Sequence, residues 1–146
     1  MATLPEAIEL QIVTPERHVL QETVQSVEIP GKEGYLGILP GHAPLITELG
    51  VGILTYRKGG ENKLVTVIHG YAEVLPDRVI VLADSAERAG EIDAARAQAA
   101  RDRAQKRFAN PNDPAVDWKR AQDSLERAQV RLQAAAKAGA PTASHG

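Results

Sequence analysis

The chain has 146 residues, 43% apolar and 25% charged, a composition that excludes a disordered polypeptide. It holds no cysteine, which excludes disulfides, thiolate nucleophiles and cysteine metal sites. The net charge of −2 argues against a nucleic-acid partner, but residues 1–90 carry 7 basic and 12 acidic side chains (net −5) and residues 91–146 carry 10 and 7 (net +3). An acidic front joined to a basic back implies two parts with different partners.

No apolar run approaches the ~18 residues of a membrane span. Met1 to Glu6 has neither the basic-then-apolar pattern of a secretory signal nor transit-peptide character, so no leader is expected. The aromatic residues are Tyr35, Tyr56, Tyr71, Phe108 and Trp118, so the core must be built from aliphatic side chains.

In the front half, Ile8, Leu10 and Ile12 alternate with Glu9 and Gln11, the pattern of a half-buried strand. Val27 and Ile29 flank Glu28. Further runs follow at Leu36–Leu39, Leu45–Leu49, Val51–Tyr56, Leu64–Ile68, Tyr71–Leu75 and Val79–Ala83. They are separated by Thr14-Pro15, Pro30-Gly31, Pro40-Gly41, Gly59-Gly60 and Pro76-Asp77. Short strands at this spacing predict a sandwich or barrel over residues 1–89.

The period changes near Ala89-Gly90. Nine of the twelve glycines lie between Gly31 and Gly70, whereas Ile92 to Ala138 has none. Ile92 to Phe108 is rich in Ala, Arg and Gln, good helix formers. Asn110-Pro111-Asn112-Asp113-Pro114 must break that helix. A second helix is expected from about Ala115 to Lys137, with a heptad-like seam of Trp118, Ala121, Leu125, Ala128, Leu132 and Ala135 facing Ala97, Ala100, Ala104 and Phe108. The short connection predicts an antiparallel hairpin over 90–138, and the small polar tail 139–146 is expected to be disordered. An alanine seam buries little apolar area, so the hairpin is either marginal alone or a stable stapled pair.

Catalytic motifs are missing. His18, His42, His69 and His145 are not at metal-ligand spacing, and there is no Gly-x-Ser-x-Gly elbow. Gly31-Lys32-Glu33-Gly34 is too short for a phosphate loop. The stretch from Pro30 to Pro44 packs glycines and prolines around His42, either as tight-turn chemistry or as a rigid docking surface. Asp93 and Arg96 are three apart and can pair at a helix start. Arg96, Arg103 and Arg107 step by 7 and 4, as do Arg120, Arg127 and Arg131. Two such stripes either converge on a phosphate or an acidic protein loop, or form solvated faces interrupted by Asp102 and Glu126.

Three stretches carry a family likeness: Gly34 through Leu45 (GYLGILPGHAPL), Val81-Leu82-Ala83-Asp84, and Ile92-Asp93-Ala94-Ala95-Arg96-Ala97. In these, over roughly residues 7–137, the chain resembles the epsilon subunits of F-type ATP synthases. The resemblance implies an all-β N-terminal domain, a β-sandwich of about ten strands, followed by a C-terminal α-helical hairpin. It implies a non-catalytic rotor subunit of a proton-translocating synthase, without a required cofactor or metal, at the cytoplasmic face of the bacterial plasma membrane and peripheral to it. The implied partners are the gamma subunit, the c-subunit ring and, when hydrolysis is inhibited, the beta subunit. Ring contact falls on Gly31, Lys32, Glu33, Gly34, Tyr35 and His42, with Tyr35 standing where relatives often carry an acid. The beta contact falls on Arg120, Arg127 and Arg131. ATP as a regulatory ligand of the folded hairpin falls on Glu87, Ile92, Asp93, Arg96, Ala97, Arg103, Arg127 and Arg131. The alternative is a free-standing ATP-sensing module.

Overall fold

The alternating runs become seven strands in the computed structural model, which describes residues 4–110 and 112–139. They are β1 (Ile8–Val13), β2 (His18–Val24), β3 (Ser26–Gly31), β4 (Gly34–Ile38), β5 (Leu45–Lys58), β6 (Glu61–Leu75) and β7 (Arg78–Arg88). A 3-10 turn at Ala89–Glu91 leads to α1 (Ala94–Phe108) and α2 (Trp118–Gly139). The chain divides into two compact units, Met1–Arg88 and Ala89–Gly146.

The sheet order is β2-β1-β7-β6-β5-β3-β4, antiparallel throughout except for the parallel pair β1 and β7. The long strands make two layers from this one sheet by exchanging their inward-facing residues partway along. On β6 the core takes Val65 and Val67, then Ala72 and Val74. On β5 it takes Leu49, then Leu54 and Tyr56, and on β7 Val79, Val81 and Ala83, then Ala86. Uninterrupted alternation would turn half of each set outward. The exchange on β6 occurs at His69 and Gly70, both at positive φ (53° and 119°). A Cβ on Gly70 would overlap the Leu82 carbonyl, so only glycine fits.

The sheet wraps far enough for β2 to meet the strand ends it does not pair with. Gln25 N–H donates to the Arg57 carbonyl at 2.8 Å, and Lys58 Nζ lies 3.4 Å from Glu22 Oε2. The Arg88 guanidinium donates to the Val19 carbonyl through Nε (3.1 Å) and Nη2 (2.9 Å). The aliphatic core between the layers draws on every strand.

The sandwich expected from sequence is present, with seven strands in place of about ten. Leu45–Leu49 and Val51–Tyr56 are one strand continuous through Gly50, and Leu64–Ile68 and Tyr71–Leu75 are one strand continuous through His69-Gly70. The alternation pattern missed β2, whose adjacent Val19 and Leu20 are both buried.

In the second unit, α1 and α2 pack through Ala97, Ala104, Ala121 and Ala128, all nearly inaccessible. Phe108 and Trp118 meet at the closed end, ring centroids 5.5 Å apart. Trp118, Leu125, Leu132 and Ala135 of the expected seam are only half-buried, while Val130 and Ala134, on another face of α2, are buried. Both helices start later than the sequence pattern implied. Asp93 caps α1, its Oδ1 accepting Arg96 N–H at 3.0 Å. Asp117 does the same for Arg120 N–H at 3.1 Å, leaving Ala115 and Val116 in the connecting turn. The tail expected over 139–146 lies, from residue 140 onward, outside the described residues.

Candidate functional site

The outward face of the β1-β7-β6-β5 layer carries the first candidate surface. Strand register places Glu48, Tyr71, Leu82 and Val13 side by side, and in the next row Ile46, Glu73, Ile80 and Gln11. Ile46 is 72%, Tyr71 57% and Leu82 55% exposed. Large apolar side chains gathered at this exposure mark a contact face. Single-strand patterning missed it, because these residues become neighbours only through pairing.

The residues assigned to a ring contact occupy two places. Gly31 pairs with Gly34 across the Lys32-Glu33 turn between β3 and β4, and Gly34 has φ +139°. Lys32 is held against β5, its N–H donating to the Glu48 carbonyl at 2.9 Å and its Nζ lying 3.2 Å from Glu48 Oε2. Tyr35 is half exposed, yet its hydroxyl accepts Ile53 N–H at 3.0 Å. His42 sits in the β4–β5 loop, its Nδ1 2.7 Å from the Ala43 carbonyl oxygen. The adjacent Gly41 N–H donates to Pro76 at 2.8 Å. Among the described residues, no hydrogen bond joins the turn to His42.

The residues assigned to ATP fall in both units. Glu87 lies on β7, its carbonyl accepting the buried Thr66 hydroxyl at 3.3 Å. The others lie in the second unit. Ile92, Asp93, Arg96 and Ala97 form the start of α1, with Ala97 in the buried seam. Asp93 and Arg96 make no side-chain ion pair there, contrary to the spacing argument: the carboxylate is taken by the Arg96 backbone as a cap. Arg103 is seven residues further on, about 10 Å along the helix. It lines a cavity of about 450 Å³ with Ala100, Arg107, Ala115, Val116, Asp117, Arg120 and Ser124, toward the closed end of the hairpin. Arg127 is exposed, its Nη2 3.4 Å from Ser124 Oγ, and Arg131 is half-buried. Arg120, assigned with Arg127 and Arg131 to a beta contact, shares their stripe of α2 and lines the same cavity.

Among the described residues, no three His, Cys, Asp or Glu side chains gather to hold a metal. No helix there is long and apolar enough to cross a membrane.

A β-sandwich with an exposed apolar row, followed by an arginine-striped helical hairpin, defines a two-unit interaction protein. Residues 7–89 match the ATP synthase, Delta/Epsilon chain, beta-sandwich domain, and residues 91–136 match the ATP synthase, Delta/Epsilon chain, long alpha-helix domain. The chain belongs to the delta/epsilon chain family of ATP synthase subunits. It is 51% identical to the ATP synthase epsilon chain of Syntrophobacter fumaroxidans and 48% identical to that of Solibacter usitatus. Each match spans 134 residues, 92% of this chain and 99% of the relative. A chain in the Euglena gracilis mitochondrial ATP synthase structure (OSCP/F1/c-ring) is similar at 28% identity and TM-score 0.77, over 92% of this chain and 84% of that one.

Proposed function

We propose that this chain is the non-catalytic epsilon subunit of the central stalk in a proton-translocating F-type ATP synthase. In this reading it couples gamma to the c-ring and restrains ATP hydrolysis through its helices. The observation that carries the reading is the exposed row of Ile46, Tyr71 and Leu82 on a sandwich whose residues 7–89 match the family. Such a row favours burial against a partner at ~25 cal/mol per Å² of apolar surface, and the gamma subunit is the proposed partner. The Gly31–Tyr35 turn and His42 are the proposed ring contacts. Arg120, Arg127 and Arg131 meet an acidic loop of the beta subunit when the hairpin extends. ATP is the proposed regulatory ligand of the folded hairpin, and the complex sits at the cytoplasmic face of the bacterial plasma membrane.

The test is reconstitution with the gamma subunit and the rest of the synthase. The full chain and a version ending at Ala89 should both assemble, and the shortened one should release hydrolysis from inhibition. An Ile46→Glu, Leu82→Glu double variant should fail to bind gamma while remaining folded. Normal gamma binding by that variant would overturn the docking assignment. An unfolded truncation would overturn the division of labour.

A further inference from the structure

The β3–β4 turn is tied to β5 on both sides of the place where β5 passes from one layer to the other. β3 pairs with β5 over Ser26–Glu28 and again at Gly31, which stands opposite Leu49. Between those pairings β3 advances three residues (28 to 31) and β5 six (49 to 55). Over this surplus the inward set of β5 changes from Leu49 to Leu54. A strand that bulges in this way leaves backbone groups without a ladder partner. The Ile53 N–H, beyond the crossing, is met instead by the Tyr35 hydroxyl at 3.0 Å. Before the crossing, the Lys32 N–H donates to the Glu48 carbonyl at 2.9 Å, and Lys32 Nζ lies 3.2 Å from the Glu48 carboxylate. That ion pair is well exposed and adds little by itself, so the backbone bond does the holding.

We propose that Tyr35 is a positioning residue whose hydroxyl, bonded to β5, holds the Lys32-Glu33 turn in one place so that the turn meets its partner already ordered. The inference rests on the reading that this turn contacts the c-ring, and it assigns Tyr35 a role within that contact. The side chain divides in two: its surface is 55% exposed, while its hydroxyl is occupied by the Ile53 N–H. Gly31 and Gly34 flank Lys32-Glu33, and glycines lose more backbone freedom on ordering than any other residue. A turn held loosely would be ordered only on binding, at the expense of affinity. Ordering it beforehand removes that cost from the binding step. Both ties end on β5, the strand that also carries Ile46 and Glu48 of the outward face. The turn therefore keeps a fixed place relative to that face, and the two surfaces are presented together.

The experiment follows amide exchange by NMR in the full-length chain and, in parallel, binding of its complex with gamma to detergent-solubilised c-ring. In the parent chain the Lys32 and Ile53 amides should be protected. Tyr35→Phe keeps the aromatic surface and removes only the hydroxyl. It should speed exchange at Lys32 and Ile53 by about tenfold more than it speeds the β6–β7 ladder, the mark of local rather than global opening. It should also weaken ring binding by about tenfold and leave the affinity for gamma unchanged. Circular dichroism confirms that the variant is folded under the binding conditions. If it does not fold, the parent chain decides alone: protection of Ile53 supports the proposal, and exchange as fast as in an open loop overturns it. A folded Tyr35→Phe complex that binds the ring as the parent does would overturn the inference and leave the ring reading intact. Weakened ring binding with unchanged turn exchange would also overturn it, since Tyr35 would then be a direct contact. Failure of the parent complex to bind the ring would overturn the ring reading, and this inference with it.

Discussion

The Tyr35 hydroxyl accepts the backbone N–H of Ile53 at 3.0 Å, eighteen residues along the chain and on another strand. Pro30 has no N–H to offer β5, and the β3–β5 register slips between Glu28 and Gly31. Tyr35 reaches over that gap. A Cβ on Gly52 would come within 2.5 Å of the Tyr35 oxygen and 2.6 Å of Pro30 Cβ, so proline, tyrosine and glycine fit as a set. Tyr35→Phe should cost about 1–3 kcal/mol, the scale of a stranded polar group. Gly52→Ala should cost a similar amount through the clash with Pro30. Denaturant midpoints check both, and an unchanged midpoint in Tyr35→Phe would reduce the residue to a surface contact.

Gly70→Ala should be the more damaging glycine substitution. It meets two penalties at once, a positive φ of 119° and overlap with backbone rather than with a flexible side chain. A loss of about 3 kcal/mol or more is expected, within the range of strained core substitutions. Thermal melting of the variant measures it.

The stability of the sandwich should also fall at high pH through Tyr56. Burial, reinforced by the nearby Glu22 carboxylate, raises the pKa of this phenol above its ordinary value of 10.0, with Arg88 opposing. A raised folded-state pKa favours the neutral phenol. Its contribution is complete below pH 10.0 and is lost as pH rises from there through the folded value. Tyr56→Phe removes the titrating phenol and keeps the ring in the core. Above pH 10.0 its stability should fall less steeply than that of the parent chain. Parallel slopes would assign the alkaline loss to other groups.

The helix caps offer a gentler test. Asp93→Ala and Asp117→Ala each remove an acceptor from a first-turn N–H, and each should cost about 1 kcal/mol of hairpin stability. Helical ellipticity should melt at lower temperature while the β signal is unchanged. Asn in place of either Asp should restore most of the loss, since its side-chain oxygen caps equally well.

Much of the fold was legible because its signals are local. Ile8-Glu9-Leu10-Gln11-Ile12 alternates as a strand must, and the loss of glycine after Gly90 marks the change to helix. The long strands were not legible. At Gly50 and His69-Gly70 the alternation changes phase, and a phase change looks like a strand end when only one strand is read. β2 escaped because Val19-Leu20 breaks the period. For the candidate site, the arginine stripes could be counted in the sequence. Which arginines meet depends on how the helices are paired, so the groove that Arg103 lines with Arg107 and Arg120 could not be read from spacing within one helix. Tyr35 was assigned to the ring contact, and its bond to Ile53 depends on a tertiary approach that no short motif encodes.

The phase change has a mechanical side. Since β5, β6 and β7 pass unbroken from one layer to the other, the sandwich lacks a plane on which one half can slide across its opposite. Torsion applied at the proposed contact face of Ile46 and Tyr71 would travel along covalent backbone into the far layer. It would load the many rungs of the β5–β6 ladder together. A close-packed aliphatic filling between the layers transmits strain and yields little. In the proposed coupling role, such a body would act as a rigid key, passing angular displacement from one face to the other.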